Sequence, residues 1–464
     1  MALVRLLLAG NLGLGVDEAH YALYGIKPDL SYFDHPPLVG WILALSLKGL
    51  GVGAAAVRIP AILAGVGAGV LLAHWVMRLS QDRRTATPAV VALVASPLFS
   101  VLFLMPVPDT FLCLLTVPIL EAALRVEARG RKVDWACLGL WLGLAGLTKY
   151  TAFLFPIAIG GFLLLRGRMD RLRGVGVWLG VAVGLMLISP VLYWNAKHDW
   201  ISFAYQSKHV GGSSGLRAGK FLQSLAAQFG AYSPLLLPIG WFGLIRLWRQ
   251  RGEPRALLTF LVTALILAFF AAGSLRARAL PHWTAPAYFL LIPIGTVELL
   301  RASRPWRKVA VVSVGLSGAL VLLLHAELAR PFLPFPAYQS LHRDLRGFEH
   351  AVQVAVQEAR GSGAQGLAVP HWTLASRASF YALGSGFPVY VLDDRFDQFD
   401  LWAPDPPANG DLIVLSTHDQ PAEWPGGTPF QATEAVASWE EILNGKPVQS
   451  YRIDRGHGFH GVEP

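Results

Sequence analysis

The stretch "WACLGLWLGLAGLTKYTAFLFPIAIGGFLLL" fills residues 135–165, and its only charge is Lys149. Read as one helix, it would run about 31 residues and ~46 Å at 1.5 Å per residue. A bilayer's hydrocarbon core is about 30 Å thick, and tilt does not absorb an excess of that size. Split at Lys149, it becomes two apolar helices that meet at a charged turn. The choice decides on which side of a membrane everything after residue 165 falls.

The rest of the chain supports the membrane reading. Of 464 residues, 54% are hydrophobic and 15% charged, and the mean hydropathy is +0.46. A soluble chain carries about 25% charged residues. Its length alone would suggest several soluble domains, but the composition specifies a polytopic α-helical membrane protein. Its 47 glycines suit helices whose backbones approach closely. Apolar runs at 1–16, 54–77, 88–105, 110–125, 135–148, 150–165, 175–194, 226–245, 256–272, 282–299 and 309–328 give eleven spans. The first is short for a span. The segment 38–50 is apolar but short, and reads as an interfacial or re-entrant piece.

Basic residues test this count. The loops 78–84, 125–132, 166–173, 246–255 and 301–308 hold 3, 4, 4, 4 and 4 Lys or Arg. With eleven spans and a cytoplasmic N-terminus, all five share the cytoplasmic side, as the positive-inside bias requires. Merging 135–165 would move the last three outward. The same clustering explains the net charge of +9 without a nucleic-acid partner. Cys113 and Cys137 lie in apolar stretches with no disulfide or metal spacing. No GxxxxGK[ST] phosphate loop supports ATP-driven transport.

The outer face then receives 17–53, the turns at Asp109 and Lys149, 195–224, 273–281 and everything after Arg330. Residues 331–464 change in composition. Strand-like runs at 366–370, 388–392 and 411–416 and a helix-like run at 345–360 predict a small α/β domain. The expected organisation is a transmembrane domain over 1–330 and a periplasmic domain over 331–464.

Unusual polar residues concentrate on the outer face. Asp17 and Glu18 follow the first span, with His20, Tyr21, Tyr32, Asp34 and His35 in the same segment. Acids at a membrane edge can be solvated caps. In a partly dry cavity, a carboxylate can take a proton from an attacking hydroxyl or hold a divalent metal ion through hard oxygen ligands. Asp109, in "MPVPDTF", is the only charge between Arg84 and Glu121. Lys149 is either a snorkelling anchor or an ammonium that holds phosphate, with the Tyr150 hydroxyl beside it. "YWNAKHDWISFAYQSKH" (193–209) and "GSLRARALPHWTAPAY" (273–288) add aromatics, Arg276, Arg278 and His282. Those two arginines run against the inside bias, and Arg is shaped for phosphate oxygens. Acids, cations and rings on one lipid-accessible face are what sugar transfer from a lipid-linked phosphate needs. The acid helps the acceptor attack, and the cations neutralise the leaving phosphate.

"DEAHYALYG", "SYFDHPPLVGWIL", "VRIPAIL", "MPVPDTFLCL", "GLAGLTKYTAFLF", "YWNAKHDWISFAYQ" and "PHWTAPAYF" occur in that order. Together they resemble the family-39-like bacterial polyprenyl-phosphate-dependent glycosyltransferases. These are relatives of the protein O-mannosyltransferases and of the enzymes that add aminoarabinose to lipid A. The run "ASFYALGSGFPVYVLDDRFDQFDLW" (378–402) extends the likeness. The resemblance implies the type C glycosyltransferase fold, an undecaprenyl-phosphate-sugar donor and a periplasm-facing active site in a bacterial inner membrane. The acceptor it implies is a hydroxyl on a lipid, glycan or protein. It makes Asp17, with Glu18 beside it, the acceptor-activating acid. Asp109 matches the acid of the next outer loop, and Lys149 the lysine associated with donor phosphate. Some relatives hold a metal near these acids and others need none. "DEAHYALYG" departs from the pattern: relatives commonly carry a second aromatic where Tyr21 is followed by Ala22, and often Tyr at His20.

The expected reaction is a single displacement with inversion at the sugar carbon. Asp17 activates the acceptor, and Lys149 with Arg276 or Arg278 steadies the leaving phosphate. Tyr32, His35 and His282 shape the sugar site. A transporter or flippase would also use charges in a membrane cavity, but the chain shows no internal repeat and its charges gather on one face. A noncatalytic scaffold leaves the dense polar set without a role.

Overall fold

The structure, a computed structural model, describes residues 1–211, 215, 217–393, 395–403, 405–424 and 427–461, with backbone only at 209–211. Two compact units emerge, each built from separated pieces of chain. The first comprises 1–5, 29–39 and 58–324; the second comprises 6–28, 40–57 and 325–464.

The first unit is helical. Among the described residues, five helices of the chain are long and apolar enough to cross a membrane: Ala54–Ser80, Val175–Lys197, Pro254–Ser274, Pro281–Arg301 and Arg304–Ala329. Leu38–Leu50 and Tyr150–Leu165 are shorter apolar helices. The run 135–165 is divided where its charge falls. A helix over Lys132–Gly146 stops, Lys149 is extended (φ −155°, ψ 139°), and a 3₁₀ turn at Tyr150–Phe153 leads into Leu154–Leu165.

Other expected spans are broken by proline. The run 88–105 becomes helices Ala86–Val94 and Pro97–Leu102, with Ser96 extended before Pro97. The run 226–245 becomes Ala218–Tyr232 and Leu236–Arg249, with Ser233 at φ 89° before Pro234. Proline offers no N–H and disfavours a helical residue before it. The first apolar run forms only the helix Ala2–Ala9. There Arg5 is buried, and its guanidinium donates to the carbonyls of Ser100 (3.1 Å) and Phe99 (3.2 Å). These bonds satisfy carbonyls near the end of a short helix.

Small residues set the closest helix contacts. A Cβ on Gly139 would lie 2.2 Å from the Gly180 carbonyl oxygen. The helices Lys132–Gly146 and Val175–Lys197 therefore meet backbone to backbone, as small residues permit in membranes. Ion pairs tie the charged helix ends: Arg166 and Arg168 to Glu127, Arg246 to Glu298, and Arg255 to Glu121.

The second unit carries a five-stranded sheet in the order β2-β1-β3-β5-β4. The strands are β1 Leu367–Val369, β2 Val389–Val391, β3 Leu412–Thr417, β4 Phe430–Leu443 and β5 Lys446–Phe459. β1 runs parallel to β2 and β3, while β5 is antiparallel to β3 and β4. The helices Phe348–Ser362 and Trp372–Tyr381 pack against the sheet. The first three strands stand where the sequence placed them; the β4–β5 hairpin, turning on Asn444 and Gly445 at φ 51° and 74°, was not expected. The same unit contains the helix Val16–Ile26 and, from Gly40 onward, the helix Leu38–Leu50. A Cβ on Gly25 would lie 2.8 Å from the Leu43 Cβ, so these two also approach closely. The polar segment after the first apolar run is thus largely helical.

Candidate functional site

The predicted polar residues form two constellations, one in each unit. In the first unit, Pro108 opens the helix Pro108–Ala128 and places Asp109 in its first turn, where an anionic side chain suits the helix dipole. The extended backbone at Lys149 turns its side chain to meet Asp109. The ammonium donates to Oδ1 at 2.8 Å and to Oδ2 at 2.7 Å. Asp109 is 2% exposed and Lys149 8%, so each charge sits where water cannot compensate it. His282 Nε2 lies 3.9 Å from Asp109 Oδ2. A lysine ammonium has three donors; Asp109 takes two and one is left for a further acceptor. Lys149 is therefore primarily the counter-ion of Asp109, a partnership the sequence did not reveal.

A platform beside Tyr150 gathers the remaining aromatic candidates. Tyr32 is fully buried, and its hydroxyl accepts the Asp29 amide at 3.1 Å. Burial raises the phenol above its ordinary range, so it stays protonated. Its amide donates to the His35 carbonyl at 3.1 Å, which closes the loop. Asp34 Oδ2 lies 2.9 Å from His35 Nδ1, and both side chains are 22% exposed. Three bonds clasp this loop from the segment 194–206: Trp194 Nε1 to Asp29 at 2.9 Å, Ser202 Oγ to the Tyr32 carbonyl at 3.0 Å, and Gln206 to the Asp34 carbonyl at 2.6 Å. The Tyr150 and Ser31 hydroxyls are 3.5 Å apart. Arg276 and Arg278 stand on an exposed turn after the helix Pro254–Ser274. Among the described residues, neither guanidinium makes an ion pair or joins the Asp109 cluster.

In the second unit, Asp17 and Glu18 occupy the first turn of Val16–Ile26. They differ in use. Glu18 is 2% exposed, and its Oε2 accepts the Gly15 amide at 2.9 Å. It closes the helix N-terminus, as an acid at the third helical position does in a capping box. Asp17 is exposed and sits in the helix's first turn, the positive end of the helix dipole.

One turn on, His20 anchors this helix. Its Nδ1 lies 3.2 Å from Ser376 Oγ and its Nε2 3.1 Å from the Tyr24 hydroxyl. Ser376 donates its own hydroxyl to the Trp372 carbonyl at 2.9 Å, so it accepts from Nδ1–H. Nε2 pairs with the Tyr24 hydroxyl, so both ring nitrogens have a hydroxyl partner. The rings of Tyr24, Trp372 and Phe399 surround it at 4.9, 5.3 and 6.0 Å. The Leu14 amide donates to the Tyr381 hydroxyl at 2.9 Å. None of Ser376, Trp372 or Tyr381 was singled out from the sequence. Of the three, only Tyr381 lies in the run from residue 378 that extends the family likeness. Nearby, burial pushes Asp393 and Asp397 up to about 6, with neighbouring acids adding to the shift. Asp397 Oδ1 caps the helix Gln398–Trp402 through the Phe399 amide at 2.7 Å.

Among the described residues, no three His, Cys, Asp or Glu side chains converge to hold a metal ion. Both oxygens of Asp109 already face an ammonium, which disfavours a second cation there.

Residues 34–194 match the family described as dolichyl-phosphate-mannose-protein mannosyltransferase. A curated relative from Rhizobium johnstonii, lipid A galacturonosyltransferase RgtD, is 28% identical over 278 residues, covering 59% of this chain and 58% of the relative. A second, the undecaprenyl phosphate-alpha-4-amino-4-deoxy-L-arabinose arabinosyl transferase of Pseudomonas paraeruginosa, is 29% identical over 327 residues, covering 67% and 58%. The chain thus spans 58% of the length of each of these relatives. Among solved structures, ArnT from Cupriavidus metallidurans bound to undecaprenyl phosphate superposes with a TM-score of 0.66 at 17% identity, covering 97% of this chain and 96% of that one. The chain has the ArnT-like fold, a helical membrane region with a small sheet-bearing part. The resemblance read from its motifs is shared by the family match, the relatives and the fold.

Proposed function

We propose that this chain is a polyprenyl-phosphate-dependent glycosyltransferase. It would move a sugar from an undecaprenyl-phosphate carrier to a hydroxyl of a lipid, glycan or protein acceptor. What carries the reading is the pair of relatives. One is named for the acceptor, lipid A, and the other for the donor, an undecaprenyl-phosphate sugar. They differ in the sugar and share glycosyl transfer; joining the acceptor in one name to the lipid carrier in the other gives the reaction proposed here.

Roles follow from each unit by itself. Asp17, the more exposed acid of its turn, is assigned to the acceptor. It takes the hydroxyl proton as oxygen forms its bond to the sugar's anomeric carbon. The bond from that carbon to the phosphate oxygen breaks, and the carrier leaves as polyprenyl phosphate. One displacement inverts the configuration. Glu18 holds the helix that presents Asp17. Lys149, held by Asp109 through two of its N–H groups, is assigned to the phosphate through its third N–H. His282 and His35 are the next donors in the same unit, and Tyr32 and Asp34 shape the loop that carries His35. Tyr150 adds a hydroxyl. Arg276 and Arg278, on their exposed turn, suit first capture of an anionic headgroup. The relatives' envelope chemistry supports a bacterial inner membrane, and the five basic loops support eleven crossings with the acids on the periplasmic side. Domain limits of 1–330 and 331–464 go with that topology.

The test is transfer of label from a panel of radiolabelled undecaprenyl-phosphate sugars in proteoliposomes supplied with a membrane-lipid extract. Native protein is expected to label a lipid. Asp17→Asn is expected to lose at least 100-fold of that rate (roughly the scale of general-base catalysis) with unchanged thermal stability. Full activity in Asp17→Asn would remove the assignment. No transfer by folded native protein from any donor would remove the enzyme reading.

A further inference from the structure

The sheet of the second unit has two unlike faces. Leu367, Val369, Ile413 and Leu415 lie on the side packed by helices. The opposite side carries Ala368, Leu412, Val414 and Phe430, with Ala422 and Trp424 of the following segment packed on them. Between that segment and the strands lies a pocket of about 560 Å³. This falls within the ~300–1,000 Å³ of small-ligand sites. It shares no residue with the constellations described above.

We propose that this pocket binds an uncharged sugar ring. Its floor is polar and assembled on rigid strands. Antiparallel pairing sets Arg452 opposite Ser416, and Asp454 opposite Val414, so these side chains share the pocket face. Asp454 is 5% exposed and accepts from Arg452 Nε at 3.0 and 2.8 Å and from Nη2 at 2.9 Å. The pair cancels its own charge. A guanidinium has five N–H groups in a planar fork. Two point at Asp454, and three remain on an otherwise exposed side chain. Hydroxyls from Ser416, Thr433 and Ser450 line the same pocket and can donate or accept.

A sugar hydroxyl also does both, so a mixed floor suits it better than a one-sign floor. Trp424 supplies the wall. Its indole N–H is given to the Leu392 carbonyl, and its ring meets Phe430 edge-on at 6.3 Å. An indole held in this way offers a fixed apolar face of the kind that C–H-rich ring faces cover. Glu423 adds a negative charge at the lining, which opposes phosphates and uronates. The pocket's role is binding alone and is independent of the transfer reaction proposed above.

The experiment uses the full chain in phosphatidylethanolamine–phosphatidylglycerol nanodiscs and saturation-transfer NMR. The probes are the methyl glycosides of glucose, galactose and mannose, with glucuronate as the charged control. At least one neutral glycoside is expected to receive saturation, with glucuronate at least 5-fold weaker. Thr433→Trp fills the pocket from an exposed strand position and should abolish the signal. Arg452→Met removes the N–H donors and should weaken binding at least 5-fold. Two results overturn the proposal: no transfer to any neutral glycoside, or undiminished transfer in Thr433→Trp. A third arm presents the same sugar on a membrane-anchored glycolipid. Stronger binding there identifies a membrane-borne glycan; equal binding identifies a soluble one.

Discussion

Asp109 and Lys149 lie 40 residues apart and pair side chain to side chain where both are buried. Removing one partner of a buried pair leaves an uncompensated charge and costs about 3–5 kcal/mol. Asp109→Ala and Lys149→Ala are each expected to lower stability on that scale, and the double variant by less than their sum. Denaturant unfolding in detergent measures this, and strictly additive losses would show that the pair is not coupled. A second residue-scale prediction concerns Asp397. Its pKa is pushed up to about 6 by burial, against about 3.9 for a free aspartate. Between these values the folded chain holds a proton that the unfolded chain has lost. Stability from this group is therefore fully present below about pH 4 and falls as pH rises to about 6. Asparagine keeps the helix cap without the charge. Asp397→Asn should raise the melting temperature at pH 7.5 and flatten its fall between pH 4.5 and 6.5; a lower melting temperature at pH 7.5 would refute this. At this scale the sequence showed Lys149 as the break and Asp109 as an isolated charge. It did not show that they are partners, because side-chain pairing across 40 residues leaves no local period. Nor did it separate Asp17 from Glu18, whose different uses depend on which one folds back onto Gly15.

Between elements, the helix contacts at glycine make the sharpest claim. Gly139 has a backbone oxygen 2.2 Å from where its Cβ would stand, while Gly160 has nothing within 4 Å. Gly139→Ala should cost about 1–3 kcal/mol, as overpacking does; Gly160→Ala should be neutral or slightly stabilising. Equal effects would remove the close helix contact as the cause. The helix Val16–Ile26 offers a functional counterpart. Ser376 and Tyr381, both on the helix Trp372–Tyr381, hold its His20 and its approach at Leu14. Ser376→Ala and Tyr381→Phe should lower kcat by several-fold with little change in donor KM, because they loosen the carrier of Asp17 without touching donor. A fall confined to donor KM would assign them another role. Elements were legible where the pattern was local. Lys149 split the long apolar run, and β1, β2 and β3 were apolar runs between turn residues. The runs 88–105 and 226–245 were expected as single helices and are interrupted at Ser96–Pro97 and Ser233–Pro234, because hydropathy averages over a proline. The β4–β5 hairpin was missed although Asn444–Gly445 is a strong hairpin signal. Its first strand is largely exposed and lacks the apolar alternation that marks a half-buried strand.

At the scale of the whole molecule, the composition settled the class early, and the basic loops supply an orientation that labelling can test. Arg301, Arg304, Arg307 and Lys308 bound the turn between the helices Ala285–Arg301 and Arg304–Ala329. Moving such a cluster across the membrane is disfavoured residue by residue. The helix Arg304–Ala329 is 26 residues long, about 39 Å at 1.5 Å per residue, enough to cross a ~30 Å core. The chain beyond Ala329 should therefore emerge on the opposite side. Cys113 is buried, so replacing Cys137 by Ala leaves a background suited to single-cysteine labelling. Ser303→Cys samples the basic turn, and Asn444→Cys samples the tip of the β4–β5 hairpin; both positions are exposed. In intact spheroplasts a membrane-impermeant maleimide should label Asn444→Cys at once, and Ser303→Cys only after permeabilisation. The reverse pattern would invert the molecule and put Asp17 on the wrong side for a periplasmic acceptor. Labelling of both sites from outside would deny that Arg304–Ala329 crosses, and the count of eleven would fall with it.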